Sequence, residues 1–170
     1  MMSLQQNLAL VEHSPDFIAW KEKHRDSFLC SFFRIRDGKN DDLLQVDFYN
    51  AHDDTMSSFV IEHGVATLRH DNAEVLKKEG EVIQHLNLDH VTIEEHEALE
   101  KVEALCLRTY GQEKIIKFII ILQHKEQPRW NISVLTHSLH LLNVKLDAQT
   151  GNIIEESFTH LLAFAQRQGE

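Results

Sequence analysis

Twelve histidines are scattered along the chain. Imidazole is the side chain best suited to acid–base work near neutral pH, and it is a common zinc ligand. Spacing decides whether several can act together. His137 and His140, in THSLH, are the most closely spaced pair. On a strand their side chains point to opposite faces, so a shared ligand requires a turn over 136–140. His85 and His90 lack a cysteine or carboxylate at a metal-site spacing. His63, His70 and His124 stand alone, and neither HExxH nor HxH occurs. The sequence therefore predicts no metal centre, because zinc needs convergent ligands.

Other reaction chemistry is equally thin. There is no GxSxG to place a serine nucleophile on a sharp turn. Walker A and GxGxxG are absent and only six glycines are present, so a phosphate-cradling loop and a nucleotide cofactor are not expected. The acid pairs Asp41-Asp42 and Asp53-Asp54 fall in turns, where a general acid/base pair lacks the burial it needs. Cys30 and Cys106 lie in apolar segments without CxxC, which reads as two buried, reduced thiols. Trp20 and Trp130 suit either core or interface positions. The sequence thus points away from an enzyme and toward a binding module. Its candidate contact residues are Trp20, Trp130, His137 and His140, with no cofactor.

Bulk composition bounds the partner. The 170 residues carry 27 acidic against 17 basic side chains, a net charge of -10. Phosphate backbones select the opposite balance, so neither nucleic acid nor an anionic membrane is expected as a partner. An acidic surface favours a basic or neutral protein partner. The N-terminal MMSLQQNLALVEHSPDF has neither the basic nor the apolar region of a signal peptide, and IIKFIIIL (115–122) is too short to span a bilayer as a helix. A cytoplasmic protein is expected.

The elements that must position these residues follow from periodicity and punctuation. A helix over 3–12 is followed by a second, with Ser14 as N-cap, Pro15 in its first turn, and Phe17, Ile18 and Trp20 facing inward. Strands follow at 27–36, 43–50 and 56–64. Residues 65–91 read as a linker, with a short helix over 73–79 capped by Asp71 or Asn72. Thr92 and Glu95 form a capping-box pattern opening a helix that Gly111 ends. Strands at 114–123, 130–139 and 140–147 come next, with a turn at HKEQPR. The run 114–123, apolar on both faces, belongs at the centre of a sheet. Asp147-Ala148-Gln149-Thr150-Gly151 makes a hairpin turn. Asp147 accepts turn N–H groups and Gly151 takes positive φ, while the loop has too few oxygens for calcium. Ser157 would cap a short C-terminal helix.

The order helix–strand–strand–strand occurs twice, and 46–62 can be laid on 143–157 as a repeat. The fold class expected is α+β: two tandem α-β-β-β units, the first over 1–64, the second over 92–170, with 65–91 between them, either separate or merged into one compact domain. The helix 93–110, the strand 114–123, Trp130 to Leu135 and the DAQTG turn together resemble the PepSY domain over residues 93–156. That resemblance implies a PepSY-like or cystatin-like module, a helix packed on an antiparallel sheet, with a regulatory or protein-binding role often directed at peptidases. The leading reading is therefore a non-enzymatic module binding a protein partner, or a second copy of itself, through a sheet face or cleft. The alternative is an enzyme or small-molecule binder working in a cleft between the halves. The enzyme reading requires two or more of His63, His124, His137 and His140 beside a carboxylate in one pocket.

Overall fold

The computed structural model describes residues 1–167. It is α+β, built on one eight-stranded antiparallel sheet. The chain opens with α1 (Leu4–Glu12) and α2 (Pro15–Lys23). Ser3 caps α1 in a reciprocal capping box with Gln6, and Ser14 caps α2 by accepting from the Phe17 N–H. Phe17 and Trp20 turn inward as expected, but Ile18 is exposed. Strands β1 (Ser27–Arg36), β2 (Leu44–Asn50), β3 (Thr55–Glu62) and β4 (Val65–Glu74) follow as a meander.

β4 corrects the sequence reading, which placed a linker and a helix over 73–79 here. His63 (φ 50) and Gly64 (φ 77) make a two-residue turn with both residues left-handed, and such turns continue a strand into its antiparallel neighbour. Asp71 and Asn72 cap nothing. Asn72 sits at φ 50 where the β3–β4 register shifts. Residues 75–87 then form a strap, and a short 3-10 turn, Leu88–His90, leads to α3 (Glu95–Tyr110). The capping box of α3 is one position pair later than expected: Glu94 and Glu97 close it, not Thr92 and Glu95.

The second meander is β5 (Ile115–Lys125), β6 (Gln127–Thr136), β7 (His140–Asp147) and β8 (Ile153–His160). The turn expected at HKEQPR is tighter, pivoting on Glu126 at φ 65, and Pro128 lies inside β6. Ser157 does not cap a helix. It lies in β8, and α4 (Leu161–Arg167) begins only after it.

The strand order is β4-β3-β2-β1-β5-β6-β7-β8. Among the described residues the meanders pair only through β1 and β5, from Ser31↔Gln123 to Arg36↔Phe118. The hairpins that the sequence overlaid therefore occupy different places: β2–β3 lies inside its meander, whereas β7–β8 forms an edge.

One face of the sheet carries the core. Phe32, Val46, Phe48, Phe59, Ile120, Leu122, Trp130, Ile132, Val144 and Leu146 meet Val11, Phe17 and Trp20 from α1 and α2, and Leu99, Val102 and Leu105 from α3, in one cluster. The DAQTG turn is tied into this core. Asp147 Oδ1 accepts from the N–H groups of Gln149 (2.7 Å) and Thr150 (3.2 Å). The Ala148 carbonyl accepts from the N–H groups of Thr92 and Ile93, fixing the approach to α3.

Candidate binding face

Cross-strand pairs share a face, so the registers define what the other side of the sheet presents. Phe33 pairs with Ile121 and Ile35 with Ile119 across the β1–β5 join. Ile121 continues to Asn131 and Lys145, Ile119 to Ser133 and Asn143, and Lys117 to Leu135 and Leu141. Phe33, Ile35, Ile119, Ile121, Leu135 and Leu141 thus form an apolar strip over the centre of the sheet. All are half-buried, because α1, α2 and α3 pack on the opposite face. A partly exposed apolar strip with a polar border makes this face a candidate recognition surface.

Polar side chains hold this surface in shape. Asp47 is 4% exposed. It accepts from Ser31 Oγ (2.8 Å), Ser58 Oγ (2.6 Å) and Gln45 Nε2 (2.8 Å), pinning β1, β2 and β3 together. Burial, reinforced by the Asp47 charge, pushes the Cys30 thiol up to about 12, so it is an inert packing group. In the other meander Asn143 Nδ2 donates to Asn131 Oδ1 (2.7 Å) and Ser133 Oγ (2.9 Å).

The strap bounds one end. It crosses the ends of β3, β2 and β1, where Lys77 reaches Asp54 (2.6 Å), His85 meets Phe28 edge-on, and Glu81 pairs with Lys125 (2.6 Å). The Lys125 hydrogen bond, aided by the Lys78 backbone N–H, lowers the Glu81 carboxyl below its ordinary range. A groove of ≈ 640 Å³ lies between strap and sheet, lined by Met56, Val75, Ile83 and Gln123 among others. Beyond Ser31↔Gln123 the β1–β5 pairing ends, and the Leu86 N–H takes the freed Leu29 carbonyl. Leu86 and Leu88 then enter the core.

Charge is segregated. The exposed acids Glu12, Asp16, Glu22, Glu100 and Glu103 are on helices, and Asp41, Asp42, Asp53 and Asp54 are in turns. The open face of β5–β8 presents Lys117, Lys125, Arg129 and Lys145 together with Asp147 and Glu155. Lys145 binds Glu155 (2.9 Å) and, with Arg129 adding to its effect, lowers that carboxyl's pKa. The global acidity that favoured a basic partner does not describe this surface.

The residues singled out by sequence lie elsewhere. Trp20 is 3% and Trp130 1% exposed, so neither is available as a surface anchor. The Trp20 indole donates to Asp71 and stacks on His24, while the Trp130 indole donates to the Ile93 carbonyl. These bonds let each indole be buried without an orphaned N–H. His137 is exposed in the tight β6–β7 turn. His140, on the core side of β7, has Nδ1 3.2 Å from Glu113 and its ring stacked on Phe158, which stacks on Tyr110. Hydrogen bonds from Thr136 and Ser138, with help from His140, lower the Glu113 carboxyl. His63 pairs separately with Asp42 (2.7 Å). Of the histidines required for a catalytic cleft, His63 and His140 thus face two different carboxylates. Among the described residues no group of three or more His, Cys, Asp or Glu could hold a metal ion. No described helix is long and apolar enough to cross a membrane.

No family model and no curated protein matches the chain. A crystal structure of a putative lipoprotein from Clostridium difficile 630 is similar, with a TM-score of 0.55 and 15% identity over 84% of this chain and 89% of that one. At that identity the likeness concerns the fold alone.

Proposed function

We propose that the protein is a non-enzymatic binding module that takes a protein partner on the open face of its sheet. One observation carries this reading: the strip Phe33, Ile35, Ile119, Ile121, Leu135 and Leu141 lies on the face opposite α1, α2 and α3. The buried Asp47 network and the strap hold that face in a fixed shape, and a fixed shape lowers the ordering cost of binding. Two tandem α-β units, each a meander with its own helical cover, would supply such a broad sheet. The second, with its DAQTG hairpin, is the PepSY-like one, which makes peptidase regulation one form of the proposed role.

The test is affinity capture from the native cell with three baits: the wild type, Ile121→Glu, and Leu107→Glu on the exposed side of α3. Circular dichroism confirms that each is folded. A reproducible partner held by wild type and Leu107→Glu but lost by Ile121→Glu is expected. Equal retention by Ile121→Glu, or no retained protein at all, defeats the reading.

A further inference from the structure

We propose that a cleft beside the C-terminal end of α2 binds a small primary amine as its ammonium ion. The site stands apart from the sheet-face reading, because it lies on the helix-bearing side of the sheet. Asn50 follows Phe48 by two residues on β2, so both side chains point to that side, where Phe48 packs on Phe17 of α2.

The cleft has a volume of ≈ 300 Å³. One wall is the end of α2 with its connection to β1, residues 22–27, and the other is residues 50–53. Asn50 is 4% exposed. Its Nδ2 donates to Thr55 Oγ1 (3.1 Å) and Ser57 Oγ (3.1 Å) on β3, and to Asn72 Oδ1 (3.5 Å) on β4. Three surrounding oxygens fix which arm of the amide carries the nitrogen. Its Oδ1 is buried without a hydrogen-bond partner. The two arms of an amide point apart. With Nδ2 turned to β3 and β4, Oδ1 is turned toward β1, where Ser27 pairs with Asn50 and lines the cleft. An orphaned buried acceptor is costly, and a bound donor removes that cost.

The α2 wall adds acceptors. The His24 N–H closes on the Lys21 carbonyl and the Ser27 N–H on the His24 carbonyl. Among the described residues, that leaves the Glu22 and Lys23 carbonyls in the last turn of α2 without a backbone donor. The carbonyl end of a helix favours a cation. The charged side chains lining the cleft oppose one another: Glu22, Asp26 and Asp53 against Lys23, Arg25 and His52, with His52 paired to Asp53 (2.8 Å). Lys21 Nζ is spent on the Ser27 carbonyl (2.8 Å) and Oγ (2.9 Å). The unpaired acceptors therefore decide the chemistry of the ligand. A primary ammonium group carries three N–H donors and no acceptor. A hydroxyl, amide or carboxylate would bring further lone pairs to groups that are already acceptors.

The test is NMR titration of the full chain, following the Asn50 side-chain amide and the backbone amides of residues 24–27. The probes are n-propylammonium, tetramethylammonium, which has the charge but no N–H, and propionate. Saturable shifts at these positions are expected with n-propylammonium at millimolar concentration, and none with the other two. Ala51→Trp, at an exposed position of the β2–β3 turn, fills the cleft without touching the Asn50 amide network. It should weaken n-propylammonium binding roughly tenfold or more. The wild-type comparison decides alone if that variant does not fold. No saturable shift with n-propylammonium overturns the proposal, because Asn50 Oδ1 then takes an ordered water only. An equal response to tetramethylammonium, or an unchanged response in folded Ala51→Trp, overturns it too.

Discussion

The Glu95 carboxylate, in the first turn of α3, lies 2.7 Å from Arg36 Nη2 and 3.2 Å from Arg34 Nε, both on β1. It joins the helix of the second half of the chain to a strand of the first. The Arg36 contact includes an aligned hydrogen bond from Nε (3.0 Å). The Arg34 Nε–H is not aimed at its carboxylate oxygen, so that contact is an ion pair only. All three side chains are largely shielded from water, which makes loss of one partner costly. Glu95→Ala should destabilise the protein by about 2–3 kcal/mol, and Glu95→Gln by less, because the amide keeps one acceptor. Urea unfolding measures both, and a loss under about 0.5 kcal/mol in the alanine variant would show the pair to be inert.

Asp47 gives a second prediction. Its removal in Asp47→Ala leaves Ser31, Ser58 and Gln45 without their shared acceptor in a buried site. A cost of about 2 kcal/mol is expected in the same assay. Asp47→Asn retains an acceptor oxygen and the volume, and should recover roughly half of it.

The strap should loosen in acid. The folded Glu81 carboxyl titrates below its ordinary 4.5, chiefly through the hydrogen bond from Lys125. Asp54 is likewise held below its ordinary 3.8, chiefly by Lys77 and then by Tyr49. A depressed folded pKa means that the stabilising contribution is full above the unfolded pKa and disappears as pH falls through the folded value. Hydrogen exchange at residues 77–86, corrected for its intrinsic pH dependence, should therefore stay slow at pH 6 and quicken below about 4.5. Lys125→Met should bring part of that acceleration to neutral pH. A strap equally protected at pH 3 and pH 6 refutes the assignment.

Gly151 offers the sharpest local test. Its φ is +77, and an added Cβ would stand 2.9 Å from Lys101 Cε and 3.3 Å from Ile93 Cδ1. Lys101 can swing aside, but the backbone strain remains. Gly151→Ala should lower stability by about 1–2 kcal/mol. Gly38, with φ +80 and nothing within 4 Å, serves as the control in which strain acts without contact.

Legibility in the sequence tracked burial. From Pro128 through the rest of β6, and from Leu141 through the rest of β7, buried and half-buried residues alternate, and their pattern reads directly as strands. The central place of 114–123 was legible because Ile119 and Ile121 make the second face of β5 apolar too. β4 and the true extent of β8 were not legible, and both are edge strands. Their side chains are mostly exposed, so VATLRHDNAE and IIEESFTH carry little apolar alternation. The hairpin overlay failed for a related reason: Asx and Gly residues identify a turn but not its position in the sheet. Trp20 and Trp130 were ambiguous because the partners that fix them, Asp71 and Ile93, are distant in sequence. The apolar strip itself emerged only from the register that sets Phe33 beside Ile121.

The single β1–β5 join also bears on synthesis at the ribosome. All other strand pairs link sequence neighbours, so the N-terminal meander can assemble once residue 74 has emerged. Its innermost strand then waits, with Phe33 and Ile35 unshielded along a bare margin, until residues 75–114 have been translated and β5 arrives. At roughly 5–20 residues per second that interval lasts a few seconds. A half-made chain is therefore most vulnerable to sticking to its neighbours in a polysome during those seconds, and an early stop codon within 75–114 would make that vulnerability permanent.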